Sequence, residues 1–172
     1  MRYVLAVLIG LMAGTQGADA RDIVFSNIDG GVHDFADWAG QPVLVVNTAS
    51  QCGFTPQYAA LQKVQDRYEA QGLVVLAVPS DDFQQELDSA EEVKEFCEVQ
   101  FGLELPMTDI TSVKGAAAHP FYQAVKAETG FVPNWNFNKV LIGPDGKVAG
   151  TWRASVRPTS RAITRAIEAL LP

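Results

Sequence analysis

Val43-Leu44-Val45-Val46-Asn47-Thr48, and further on Leu73-Val74-Val75-Leu76-Ala77-Val78 closed by Pro79, are two apolar runs without alternation. Strands read this way when both faces are covered, as in parallel sheets flanked by helices. Between them Tyr58, Leu61, Val64 or Gln65, and Tyr68 follow helical spacing. Thr55 offers a cap, Pro56 suits the first turn, and Gly72 stops the helix. Strand, helix and strand make a right-handed crossover.

Working outward, residues 22–35 alternate apolar and polar around Asp29-Gly30-Gly31, which predicts an N-terminal β-hairpin. Downstream, Ser89 and Glu92 have capping-box spacing, and Val93, Phe96, Cys97 and Phe101 share the apolar face of the helix they open, which ends at Gly102. A third helix is expected over 116–128, regular from Pro120 onward. Two short strands, 139–143 and 147–152, meet at Pro144-Asp145-Gly146, and a last amphipathic helix covers 158–171. This order predicts one α/β domain with a thioredoxin-like fold: a mixed central sheet of about four strands, flanked by helices and preceded by the hairpin.

The totals narrow the function. The chain has 172 residues, 48% apolar and 19% charged, which suits one globular domain. Its net charge of −7, with no concentrated basic stripe, argues against nucleic acid or an anionic membrane as partner. No apolar run after residue 20 is long enough to cross a bilayer. Residues 1–20 follow a separate logic: Arg2, an apolar stretch from Tyr3 to Ala13, then Ala18-Asp19-Ala20. They read as a secretory signal peptide cleaved after Ala20, leaving 21–172 as the mature domain in a periplasm-like compartment.

Two cysteines occur, Cys52 and Cys97, too far apart for a CxxC motif and unlike a zinc-ligand cluster. With only His33 and His119 besides, neither a metal site nor a cofactor is expected. In an oxidising compartment the pair could serve catalysis, a single sensing event, or a structural disulfide. Cys52 has the more reactive setting, in Ala49-Ser50-Gln51-Cys52-Gly53-Phe54 between a strand end and a helix N-terminus, whose amides and dipole favour a thiolate.

The string from Asn47 to Tyr58 resembles the active-site loop of the glutathione peroxidase family in its cysteine form. Val78-Pro79-Ser80-Asp81-Asp82-Phe83-Gln84-Gln85-Glu86 resembles the family's Phe-Pro-Cys-Asn-Gln-Phe-Gly-x-Gln-Glu segment. Ala118-His119-Pro120-Phe121-Tyr122 is similar to its Ala-His-Pro-Leu-Tyr, and residues 135–142 to its Trp-Asn-Phe-x-Lys-Phe-Leu block. The four stretches lie in register along nearly all of 22–171. The resemblance implies peroxide reduction, with Cys52 as nucleophile and the Trp135 indole and Asn136 amide as donors around the sulfur.

Two departures matter. The family's Asn-Gln pair falls on Asp81-Asp82, and the following stretch is one residue shorter. Asp82 is therefore expected near the site in a modified role, or Gln84 or Gln85 fills the place instead. Cys97 lies in the region that holds the resolving cysteine of thioredoxin-dependent members. That implies resolution of a Cys52 sulfenic acid and recycling by a thioredoxin-like dithiol, with glutathione as the second choice of reductant. The insertion of the family's tetrameric members is missing here, so a monomer is expected.

Overall fold

The computed structural model describes residues 23–172; residues 1–20, read from the sequence as a signal peptide, lie outside the described residues. A short antiparallel hairpin of β1 (Val24–Ser26) and β2 (Val32–Asp34) opens the fold. The reversal uses Gly30 and Gly31, both at positive φ, which glycine adopts without steric cost. A four-stranded sheet follows, in the order β4-β3-β5-β6, from β3 (Val43–Thr48), β4 (Val74–Pro79), β5 (Lys139–Ile142) and β6 (Val148–Trp152). β3 pairs parallel with β4 and antiparallel with β5, and β5 and β6 pair antiparallel. The sheet is mixed, as its sequence order predicts.

All six residues of β3 are buried, which explains its lack of alternation. Leu44 and Val46 face a core shared with α1 (Tyr58–Tyr68), α2 (Ala90–Phe101) and α4 (Arg161–Glu168). Val43 and Val45 face the other core, where α3 (Pro120–Thr129) and the hairpin's Phe25 pack. Gly146 closes the β5–β6 turn with its N–H on the Gly143 carbonyl at 2.9 Å, as the Pro-Asp-Gly signal requires.

Helix boundaries show where local signals compete. Ser89 Oγ accepts the Glu92 N–H at 3.2 Å, and Gly102 ends α2 in the left-handed region at φ 57. α1 begins later than the Thr55-Pro56 signal suggests, at Tyr58 after a 3-10 turn over Thr55–Gln57. Thr55 does not cap that helix: its hydroxyl turns back, accepting the Cys52 N–H at 3.0 Å and donating to the Ala49 carbonyl at 2.9 Å. The cysteine loop takes the hydroxyl because its own buried amide and carbonyl would otherwise go unpaired.

Ser89→Ala removes the side-chain cap of the helix that carries Cys97. It is expected to cost about 1 kcal/mol in urea unfolding and to speed labelling of Cys97 about fivefold under native conditions. An unchanged midpoint and labelling rate would show that the cap does not restrain α2.

Candidate active site

Cys52 sits on the loop that leaves the C-terminal end of β3, the central parallel strand, directly before the turn into α1. The Phe54 N–H is directed to its sulfur at 3.4 Å, the Thr55 N–H bonds the Cys52 carbonyl at 3.0 Å, and the Thr55 hydroxyl closes the loop from the far side. The side chain is recessed, with 6% exposure, and its thiol is free. The sulfur therefore has a backbone donor within reach at the entrance of the helix turn.

A second segment docks on this loop. The Gln51 N–H bonds the Gln85 carbonyl at 2.9 Å, and the Ser50 N–H bonds Glu86 Oε1 at 2.9 Å. The Gln85 side chain then accepts from Asn136 Nδ2 at 3.1 Å, so Asn136, fully buried, is bound to the residue that holds the cysteine loop. Trp135 remains 39% exposed and packs on Phe83, ring centroids 5.5 Å apart. Asp82 is not in this set. Its carboxylate accepts the Val113 and Lys114 N–H groups at 2.6 and 3.0 Å and faces Ser112 Oγ at 3.4 Å, so backbone amides of another loop satisfy its charge. Of the two glutamines considered, Gln85 reaches Asn136, while Gln84 is held at φ 57 in the turn before it.

Lys114 Nζ lies 4.2 Å from the centroid of the Phe83 ring, against which Trp135 also packs. A cavity of about 340 Å³ continues from there along Val113, Lys114, Tyr122, Gln123 and Lys126.

Cys97 is 1% exposed on the inner face of α2, and burial pushes its thiol up to about 11. The Tyr58 ring, buried between Phe101 and Phe137, adjoins it, and Glu86 acts on both through charge. Burial raises Glu86 as well, against the opposing pull of its hydrogen bonds to Ser50 and Leu87. Among the described residues no cluster of His, Cys, Asp and Glu could hold a metal ion.

Asn47 was a latent signal, a polar residue inside an apolar strand. Its Nδ2 donates to the Trp135 carbonyl at 2.9 Å and its Oδ1 accepts the Asn138 N–H at 3.0 Å, fixing the turn that presents Trp135 and Asn136. Within that turn Phe137 adopts φ 60, a strained conformation that the surrounding bonds maintain.

A thioredoxin-like sheet with a lone thiol at the end of its central strand and the entrance of a helix defines a thiol-dependent oxidoreductase. Comparison with known proteins gives the family. The glutathione peroxidase family model matches residues 21–126. A glutathione peroxidase of Lactococcus lactis is 38% identical over 137 residues, covering 76% of this chain and 87% of that protein. The thioredoxin/glutathione peroxidase BtuE of Escherichia coli is 34% identical, covering 86% and 94%. The solved structure of Trgpx in its apo form superposes with TM-score 0.69 at 31% identity, covering 90% of this chain and 99% of that one. The chain belongs to the glutathione peroxidase family, and it is a peroxidase enzyme.

Asn47→Ala leaves the Asn138 N–H without its acceptor and removes one of the two donors to the Trp135 carbonyl, the other being Asn138 Nδ2. A stability loss of about 2–4 kcal/mol in urea unfolding is expected, with a marked fall in peroxide turnover. Wild-type stability in this variant would show that the turn stands without Asn47.

Proposed function

We propose that the protein reduces hydrogen peroxide or organic hydroperoxides through Cys52, that Cys97 resolves the product, and that a thioredoxin-like dithiol restores both thiols. The observation that carries this reading is the Phe54 N–H directed at the Cys52 sulfur, beside the Gln85–Asn136 pair. The Cys52 thiolate attacks one peroxide oxygen, the O–O bond breaks, and the departing oxygen takes a proton to leave as water or an alcohol. Cys52 becomes a sulfenic acid. The Cys97 thiol then attacks that sulfur, the S–O bond breaks, and its proton leaves with the hydroxyl as water. Two electrons from the dithiol reopen the disulfide.

Gln85, Asn136 and Trp135 are assigned to the sulfur and the leaving oxygen, with Gln85 in the amide role expected near Asp82. The carboxylate of Asp82 supports the 112–114 loop instead. The BtuE relative carries both thioredoxin and glutathione in its name. Full burial of Cys97 favours a second reading, in which glutathione reaches the Cys52 sulfenic acid first and forms a mixed disulfide. In the preferred reading α2 opens locally, because two thiols on separate elements can join only when their Cα atoms come within about 7 Å. The pattern of residues 1–20 supports export to a periplasm with a mature start at Arg21, and the short connection before β5 supports a monomer.

The deciding experiment measures peroxide consumption with a thioredoxin system and with glutathione. Cys52→Ser is expected to abolish both. Cys97→Ser is expected to keep the first turnover but lose recycling by thioredoxin; undiminished thioredoxin-driven turnover would remove Cys97 from the cycle. Gln85→Ala is expected to slow single-turnover oxidation of Cys52 by about 10- to 100-fold, and Asp82→Asn by far less. The reverse order would return Asp82 to the site.

A further inference from the structure

Lys139 is the one lysine in the sheet, and it is fully buried. It opens β5 opposite Val46 of β3, and its side chain shares the face of Leu141, toward α1 and α4. Such a group is expensive to bury and stays where its hydrogen bonds are satisfied. Nζ donates to Gln57 Oε1 at 2.6 Å, the Val156 carbonyl at 2.7 Å and the Ala154 carbonyl at 3.3 Å. Gln57 completes the link by donating Nε2 to the same Ala154 carbonyl at 2.8 Å. These are three acceptors for three ammonium hydrogens, with no carboxylate paired to Lys139 among the described residues.

Gln57 ends the 3-10 turn whose Thr55 and Phe54 hold the Cys52 backbone and sulfur. From its other side Lys139 continues directly from the Trp135–Asn138 turn. One ammonium group therefore braces the nucleophile's turn, the donors' turn and the loop after β6 against one another. We propose that Lys139 is a positioning residue for Cys52, acting through Gln57, and that its ammonium form sets the geometry of the cysteine turn. This rests on Cys52 being the reacting thiol.

A neutral amine has two hydrogens for the same three oxygens and turns a lone pair toward the third. Burial depresses the Lys139 ammonium to about 7, so the change falls within the working range of an enzyme. No other charge contributes to that shift. The ionisable groups on the adjoining segments are Cys52 and Tyr58 at the turn and Arg153 and Arg157 on the 153–157 loop; the Arg153 guanidinium is taken by the Val132 carbonyl and the Phe131 ring. β3, β5 and β6 carry no other ionisable side chain; on α1 Lys63, Asp66 and Arg67 and on α4 Arg161 and Arg165 are exposed, and Glu168 is held by Arg67 and Tyr68.

The test compares the full protein with Lys139→Met from pH 6 to 8.5. It reads single-turnover consumption of hydrogen peroxide and, separately, the alkylation rate of Cys52 by iodoacetamide. The wild-type to variant ratio isolates what the substitution changes. It is expected to fall roughly fivefold or more across this range as the ammonium form is lost. A merely structural lysine gives a ratio independent of pH, and that result overturns the proposal. Should Lys139→Met not fold, Gln57→Met, which keeps the lysine and cuts the link, is read by the same ratio with the same two outcomes. A pH-dependent alkylation ratio without peroxide consumption would sustain the role of Lys139 while refuting the peroxidase reading.

Discussion

The pairing of one buried carboxamide, Asn47 near the end of β3, determines whether two distant stretches of chain meet. β3 ends at Thr48 and releases the loop that carries Cys52, while the turn before β5 carries Trp135 and Asn136. Main-chain bonds between Asn47 and residues 137 and 138, with the two side-chain bonds of Asn47, join these stretches at the sheet. An aliphatic residue at this position would pack equally well in a strand but would leave the buried Asn138 N–H without its acceptor and the Trp135 carbonyl with Asn138 Nδ2 alone. The amide thus converts a generic parallel strand into a platform that holds the cysteine loop and the 135–138 turn in fixed relation.

The frame was readable because its signals are local. Non-alternating runs marked β3 and β4, Ser89 and Gly102 marked the ends of α2, and Pro144-Asp145-Gly146 marked the last hairpin; each depends on residues within a few positions of one another. The matches to family strings placed Cys52, Trp135 and Asn136 in a common sequence context. Less legible was anything decided by pairing across long separations. Whether Thr55 caps forward or bonds backward depends on the neighbouring loop's unpaired groups. Whether Asp82 or Gln85 enters the amide place depends on where the amides of Val113 and Lys114 lie, some thirty residues away. The sequence marks Lys139 only as the start of a strand, and only the fold shows Gln57, eighty-two residues upstream, as its acceptor.

The site also divides its polar groups unevenly. The reacting side has its hydrogen bonds largely made: Phe54 to sulfur, Thr55 to the loop, Glu86 Oε1 to two amides. Beneath it, toward α2, Thr48 Oγ1, Tyr58 Oη and Glu86 Oε2 are buried with no well-formed hydrogen bond among the described residues. Each such atom forfeits hydrogen bonds it would make in water, at a cost of about 1–3 kcal/mol.

That unevenness bears on how a thiol sealed beneath a helix could react at all. Opening α2 exposes Val93 and uncovers Tyr58 and Leu103, at a cost in apolar burial of about 25 cal/mol per Å². It also admits water to the unpaired oxygens of Tyr58, Thr48 and Glu86, which offsets part of that cost. The same event carries Cys97 out of the surroundings that hold its thiol up near 11, so release of the helix and readiness of the thiol arise together. A core of hydrocarbon alone beneath α2 would hold Cys97 more firmly and keep it inert. The incomplete polar pairing at this boundary lowers the cost of opening α2 over Cys97.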